Sequence, residues 1–276
     1  MTINCNGHLV DLTTPKVMGI LNVTPNSFYD GGKFTEDKKR LYQVEKMLID
    51  GASFIDVGGY SSKPNAEEVS EKEELQRVIP VIQTILNEFP SAIVSIDTFR
   101  SEVAKQSIQN GAAIINDISA GSLDVNMLPT VAQLQVPYIM MHMKGTPQTM
   151  QSLTQYDNVV KEILFYFSEK VAQARYHGIN DLIIDPGFGF AKTLAQNFEV
   201  LGKLELFQIL ELPLLIGVSR KSMIHKTLAT TSEMALNGTT SLNTIALMKG
   251  ANILRVHDVK EAVECVKLYQ TLSYRL

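Results

Sequence analysis

Eight short apolar runs, bounded by glycine, proline or asparagine, alternate along this chain with longer segments of helical periodicity, and this alternation constrains its fold most. The runs occupy residues 17–21, 54–57, 93–96, 114–116, 138–142, 182–185, 214–218 and 253–256. Between them, Val160, Ile163, Leu164, Phe167 and Val171 fall on one helical face, as do Leu41, Val44 and Leu48, and Val259, Val263 and Val266. Gly51, Gly111, Gly178 and Gly250 stand where helix C-caps are wanted. Strands that alternate with helices read as parallel strands joined by crossovers. Eight units in a row predict an α/β fold closed into a (β/α)8 TIM barrel, one domain spanning residues 1–276. An open doubly wound sheet would need a glycine-rich turn after its first strand, and Leu21-Asn-Val-Thr-Pro25 is not one.

The 276 residues suit such a barrel, and 45% hydrophobic residues against 20% charged are enough to fill its core. A formal net charge of -4 excludes a generalised nucleic-acid or anionic-membrane surface, so an anionic ligand must be held by a few local cations. No apolar run approaches the roughly 18 residues that span a bilayer. The first ten residues lack the basic-then-apolar pattern of a signal peptide, and the expected compartment is the cytoplasm. Cys5 and Cys265 have no metal-type spacing and are read as packing.

The functional signal lies in what closes each run. In order the tips read Asn22, Asp56, Asp97, Asn116 with Asp117, His142, Asp185, Ser219-Arg220-Lys221, and Arg255 with His257. A barrel of this kind carries its active site on the face formed by the C-terminal strand ends. One or two polar tips would serve as helix caps, but eight of eight imply a polar pocket. Asp97 can be either a cap for a helix starting near Ser101 or a site residue, and Asn116 either turn chemistry or a ligand contact. Asp185 precedes a rigid Pro186-Gly187 turn that aims its carboxylate inward. Asp56 and Asp117 read as partners of neighbouring backbone, and His142, among methionines, as a packed, hydrogen-bonded histidine. Lys221, Arg255 and His257 follow the seventh and eighth strands, where barrels often bind phosphate, and Arg offers a planar fork for its oxygens. The competing readings are solvation for Lys221 and a salt bridge for Arg255. No HExxH, Cys/His cluster, calcium loop or G-x-S-x-G is present.

These tips sit in eight ordered segments that together resemble the dihydropteroate synthase family. They are Met18-Gly-Ile-Leu-Asn-Val-Thr-Pro-Asn-Ser-Phe-Tyr-Asp-Gly-Gly32, Phe54-Ile-Asp-Val-Gly-Gly59, Ser95-Ile-Asp-Thr-Phe-Arg100, Ile115-Asn-Asp-Ile118, Met141-His-Met-Lys-Gly-Thr-Pro147, Ile184-Asp-Pro-Gly-Phe-Gly-Phe190, Gly217-Val-Ser-Arg-Lys-Ser222 and Arg255-Val-His-Asp-Val259. The resemblance implies an enzyme that joins a pterin pyrophosphate to p-aminobenzoate in folate biosynthesis. It implies Mg²⁺ at Asn22 as cofactor, and a homodimer. Asp97, Asn116, Asp185 and Lys221 then match the pterin-holding positions, and Arg255, Val256 and His257 those near the pyrophosphate. Ser62 matches a hydroxyl near the pyrophosphate, while Lys63, Pro64, Phe190 and Ser219 match positions near p-aminobenzoate. Lys221, Arg255 and His257 are the expected catalytic groups.

The chain departs from the common pattern in two loops. Asn26 and Tyr29 replace Asp and Ser, and Tyr60-Ser-Ser-Lys-Pro-Asn65 replaces Glu-Ser-Thr-Arg-Pro-Gly. At Lys63 a planar fork becomes a point charge, which is not a neutral exchange. Two other readings share the barrel: pterin-dependent methyl transfer, and a pterin-binding module without turnover. The pyrophosphate-type trio Asn22, Arg255 and His257 argues against the first, and the departures motivate the second.

Overall fold

The structure is a computed structural model that describes residues 1–23, 33–60 and 69–273. An antiparallel hairpin of β1 (Thr2–Cys5) and β2 (His8–Asp11) comes first. Then follow β3 (Lys16–Asn22), α1 (Lys33–Ile49), β4 (Phe54–Gly58), α2 (Glu71–Glu88), β5 (Val94–Asp97) and α3 (Ser101–Gln109). The middle of the chain forms β6 (Ile114–Asp117), α4 (Met127–Leu134), β7 (Tyr138–Met141), α5 (Val159–Tyr176), β8 (Leu182–Asp185) and α6 (Leu194–Gly202). A 3-10 stretch (Leu204–Leu210) leads to β9 (Leu215–Ile216), α7 (Ser222–Thr227), α8 (Leu236–Met248), β10 (Ile253–Val256) and α9 (Val259–Ser273).

Strands β3 to β8 pair in sequence order, β10 pairs with both β3 and β9, and every one of these pairs is parallel. The remaining seam closes through a parallel bridge between Ile184 and Leu214, with the Ile184 N–H donating to the Pro213 carbonyl at 3.0 Å. The eight strands thus form the expected TIM barrel. Each expected apolar run holds a strand, the seventh shortened to two residues. All four expected C-cap glycines have positive φ, between 84° and 101°, the left-handed conformation a helix end requires.

Alternation along the strands decides which side chains reach the interior. Outward-facing Val17, Leu21, Ile55, Val57, Val94, Ile96, Ile115, Tyr138, Ile184, Ile216, Leu254 and Val256 fill one apolar layer with the helices, to which Val44, Val160, Ile163, Phe167, Val259 and Val266 contribute. Inward-facing Met18, Phe54, Ile114, Ile139, Ile183, Leu215 and Ile253 form a second cluster at the N-terminal end of the barrel. The inward phase continues from these residues to Asn22, Asp56, Asp97, Asn116, Asp185 and Arg255. One face of β3, β4, β6, β8 and β10 is therefore apolar at its start and polar at its finish.

The N-terminal hairpin, absent from the eight-unit reading, plugs the apolar end. Its Ile3 and Cys5, with Leu12, join the inward cluster. Asn6 and Gly7, at φ 51° and 88°, make the tight turn that an Asn-Gly pair favours. The hairpin is tied across the barrel floor: the Asn4 N–H donates to Asp181 at 2.7 Å, and Asn252 donates to the Leu12 carbonyl at 3.0 Å. Both cysteines are buried thiols, and burial pushes Cys5 up to about 12, as expected for packing residues. Leu12 is fully buried at the centre of this plug. Leu12→Ala is expected to cost about 3 kcal/mol in urea unfolding, the range for a core leucine truncation. A cost below about 1 kcal/mol would mean that the hairpin does not seal the barrel.

Candidate active site

At the polar end, strands from distant parts of the sequence meet through one guanidinium. Arg255, in β10, donates from Nε to Asp56 Oδ2 in β4 at 2.6 Å and from Nη2 to Asp97 Oδ2 in β5 at 2.7 Å. Asn116, in β6, donates to the same Asp56 oxygen at 3.0 Å. Tyr60 donates its hydroxyl to Asp97 Oδ1 at 3.1 Å. The register explains the meeting, because Asp97 pairs with Asn116 and Asp56 lies one inward position deeper, opposite Ser95. Asp97 is not a helix cap: the Ser101 N–H goes to Asp124 at 2.7 Å instead. Asp56 was expected to serve neighbouring backbone, but it serves the side chains of Arg255 and Asn116.

The electrostatics of this group follow from burial. Desolvation pushes the Asp97 carboxyl up to about 7, against the pull of Arg255 and with added repulsion from Asp56. Desolvation also works against the Arg255 charge, yet Asp56 and Asp97 more than offset it and raise its pKa. Asp56 Oδ1 is buried with no hydrogen-bond partner among the described residues. The salt-bridge reading of Arg255 therefore holds, and the guanidinium fork keeps further N–H donors for a ligand.

A second charged pair faces the first. Asp185, at the end of β8, accepts the Gly187 N–H at 2.8 Å, so its turn holds the carboxylate as expected. Gly187 has φ 72°, and a Cβ there would lie 2.1 Å from the His142 carbonyl oxygen, so only glycine fits. Lys221 donates to the Phe188 carbonyl, and its ammonium lies 4.9 Å from the Phe190 ring centroid. Burial raises Asp185, opposed chiefly by Lys221, and lowers Lys221 to about 8, opposed by Asp185. Arg255 acts on both, which places all these charges within one field. A Cβ at Gly217 would lie 3.9 Å from Arg255 Cβ and 4.0 Å from Lys221 Nζ, so its bare backbone leaves room between the two cations.

The rim holds the remaining predicted groups. Ser219 Oγ accepts the His257 backbone N–H at 3.1 Å and meets its Nδ1 at 3.0 Å. The hydroxyl proton then suits Nδ1, which leaves Nε2–H as a donor on this exposed imidazole. Arg220 is turned away, gripping both oxygens of Asp258 at 2.8 Å. Asn22 is exposed at the tip of β3. The Val256 side chain is fully buried in the outward apolar layer, one residue out of phase with Arg255, so only its backbone faces the mouth's side of the strand end. Asp117 shares that phase and is structural as expected, bonded to Ser119, Gly121 and the Tyr138 hydroxyl. Ser62, Lys63 and Pro64, with Asn26 and Tyr29, lie outside the described residues.

Three features escaped the sequence reading. Ile118, Met141, Met143, Met150 and Ala191, with Tyr60, Phe99 and Phe190 packed on them, form an apolar cluster at the polar end. Met141 was within reach of sequence, since it continues the inward phase of Ile139. Tyr60, which packs edge-on against Phe99 at 5.2 Å, and the buried Lys192 bonded to His142 carry no periodic signal.

The polar end of the barrel can thus take a flat, hydrogen-bonding heterocycle beside an anion, and comparison with known proteins agrees with that geometry. Residues 18–257 match the family described as pterin binding enzyme. The chain is 45% identical to the dihydropteroate synthase of Escherichia coli (strain K12), over 99% of this chain and 97% of that protein. The solved dihydropteroate synthase of Yersinia pestis in a sulfonamide drug complex superposes with a TM-score of 0.93 at 40% identity, covering 99% of this chain and 100% of that one. The Xanthomonas albilineans enzyme in complex with 7,8-dihydropteroate gives 0.88 at 36% identity, covering 99% of each chain.

The depressed Lys221 pKa carries a sign. Between about 8 and its ordinary value of 10.5, the unfolded chain binds more protons than the folded one, so stability rises with pH across that window. Lys221→Met should therefore be more stable than the parent at pH 7 in urea unfolding, and its advantage should shrink toward pH 10. A variant less stable at pH 7, with a difference independent of pH, would contradict the buried-cation account.

Proposed function

This chain belongs to the pterin-binding enzyme family, among the dihydropteroate synthases of folate biosynthesis, and from that membership we propose how its barrel mouth performs the reaction. The enzyme condenses 6-hydroxymethyl-7,8-dihydropterin pyrophosphate with p-aminobenzoate, giving 7,8-dihydropteroate and pyrophosphate. The observation that carries the assignment of roles is the convergence of Asp97, Asn116, Asp185, Lys221 and Arg255 at one end of the barrel.

A pterin presents a 2-amino group beside a ring N–H, and Asp185 can accept both while its other contact, the Gly187 N–H, fixes its plane. Asn116 adds a donor and an acceptor, and Lys221 faces the ring carbonyl and nitrogen acceptors. The apolar cluster around Met141 and Ile118 covers the ring faces and keeps water from the carboxylates. Arg255 and His257 hold the pyrophosphate, with Ser62 beside it, while Val256 contributes through its backbone alone. Phe190 stacks on the aryl ring of p-aminobenzoate near Ser219, and the family resemblance assigns Lys63 and Pro64 to the same substrate.

The bond from the pterin methylene carbon to the pyrophosphate oxygen breaks with its electron pair leaving on pyrophosphate. The arylamine lone pair then forms the new carbon–nitrogen bond, and the amine loses a proton to solvent. Positive charge on the methylene delocalises into the pterin, so the path is SN1-like. Asp97 and Asp185 favour that electron-poor ring, and Arg255 with the His257 Nε2–H stabilises the departing anion. An arylamine is neutral near pH 7, and no strong base is required.

The chain's donors fit a Mg²⁺ cofactor. Among the described residues no group of three His, Cys, Asp or Glu is placed to cage a metal, while the Asn22 carboxamide offers one hard oxygen at the rim. When bound chiefly by pyrophosphate and water, the ion supplies charge neutralisation for the leaving group. A homodimer is supported by exposed Leu206, Ile209, Ile245 and Met248 on adjoining elements, which the 2.7 Å Lys249–Glu205 ion pair ties together. Doubling of the mass in sedimentation, abolished by Ile209→Asp, is the expected result. Among the described residues no helix is long and apolar enough to cross a membrane, in keeping with a cytoplasmic enzyme.

Incubation with Mg²⁺, the pterin pyrophosphate and p-aminobenzoate should release pyrophosphate and dihydropteroate in equal amounts. Arg255→Ala should lower kcat about 100-fold, the scale of a lost charge-stabilising donor. His257→Ala, at an exposed position that does not threaten folding, should weaken use of the pyrophosphate substrate yet leave binding of a pterin lacking pyrophosphate unchanged. Unchanged turnover of both variants at saturating substrate would remove these residues from the leaving-group role.

A further inference from the structure

Lys192 is a buried cation that the reaction scheme does not use. Its ammonium lies 3.1 Å from His142 Nδ1, 2.9 Å from the Gly187 carbonyl and 3.1 Å from the Phe190 carbonyl. These three acceptors take its three N–H groups, provided that His142 is neutral with its proton on Nε2. Burial favours that neutral form by lowering the His142 pKa, and Lys192 adds repulsion. In its charged form, with every proton donated, Lys192 has no lone pair for base catalysis. Burying an ammonium is costly, and an apolar side chain would fill the same space without the penalty.

What the ammonium holds is the 187–190 turn. The Gly187 N–H binds Asp185, the Phe188 carbonyl receives Lys221, and the Phe190 ring lies beside the Lys221 ammonium. The Gly189 N–H is held separately by Asn197 at 2.7 Å, and the Tyr156 hydroxyl holds the Ala191 carbonyl at 2.9 Å. Two carbonyls of the turn are thus held by Lys192, while its Gly187 N–H, Phe188 carbonyl and Phe190 ring meet Asp185 and Lys221. The Lys192 charge also acts directly on Asp185, opposing the effect of burial on that carboxyl.

We propose that Lys192 is a positioning residue for the pterin, fixing the turn that carries Phe190 and binds the Asp185 carboxylate. This rests on the assignment of Asp185 to the pterin. The titratable and charged groups facing the pair are Lys221 and Arg255 toward Asp185, and His142, Lys144 and Lys221 toward Lys192, with Tyr156 and Tyr166 against the His142 ring. Burial lowers Lys192 to about 7, against the pull of Asp185, so the charge is present on the acid side of neutrality.

The test is calorimetric binding of the pterin pyrophosphate, with Mg²⁺, from about pH 7 downward, where Lys192 gains its full charge. For wild type, affinity falls toward acid as the buried carboxyls Asp97 and Asp185, both raised by burial, take up protons. Lys192→Met should raise Kd about tenfold at about pH 6 and move the acid limb up by about one pH unit, because the carboxyl loses a favourable charge. Lys192→Arg should keep the acid limb in place while still weakening binding several-fold, since a planar fork cannot meet three acceptors arranged for a tetrahedral ammonium. A Lys192→Met protein with the wild-type Kd and acid limb would overturn the proposal. Should that variant not fold, Lys192→Arg decides alone, and either a shifted acid limb or an unaltered Kd in it would overturn the proposal. Absence of binding by wild type itself would instead overturn the assignment of Asp185 to the pterin.

Discussion

A guanidinium held between two buried carboxylates is the interaction on which the polar end of this barrel depends. Asp56 and Asp97 sit on adjacent parallel strands, and without a cation between them the lower, fully enclosed carboxylate would be an uncompensated charge in a protein interior. Arg255 reaches both because β10 lies beside β3, which in turn lies beside β4. The closure of the barrel and the charge balance of its mouth are therefore one arrangement. Loss of either would leave the other without its reason.

The two ends of the barrel are built by the same alternation to opposite purposes. At the N-terminal end the inward positions are apolar and the hairpin completes them, and this end supplies stability. At the C-terminal end the inward positions hold groups whose pKa values burial has displaced, Asp97 and Asp185 upward and Lys221 and Lys192 downward. Such displacements are a standing cost to the fold, of the kind concentrated at functional sites. Opposed charges limit that cost, and a ligand with matching donors and acceptors would relieve more of it. Asp56 Oδ1, buried with no hydrogen-bond partner among the described residues, is one such demand.

Much of this was legible in the chain before the fold was known. Eight apolar runs and their helical intervals specify the barrel because each unit is local, and polar residues at every strand tip specify which end is functional. Alternation, carried one step further, also separates Arg255 from Val256 and Asn116 from Asp117. The hairpin had a signal in Asn6-Gly7, but its strands are four residues each and lack a long periodic pattern. What no local pattern reveals is pairing across the barrel. Asp56 looked like a backbone partner because its true partners, Arg255 and Asn116, are 199 and 60 residues away. Lys192 lies within a loop, where periodicity says nothing, and its meaning comes from three acceptors contributed by two separate segments.

The claim that these strand tips act as one binding surface is tested most directly by a double-mutant cycle. Pterin pyrophosphate affinity would be measured for the parent, Asp97→Asn, Arg255→Met and the double variant. If Asp97 and Arg255 work as a single hydrogen-bonded unit, the two losses are not additive, and the coupling exceeds about 1 kcal/mol. Losses that sum to within about 0.4 kcal/mol would mean that the two side chains act independently, and the charge-balanced mouth described here would not be what holds the pterin.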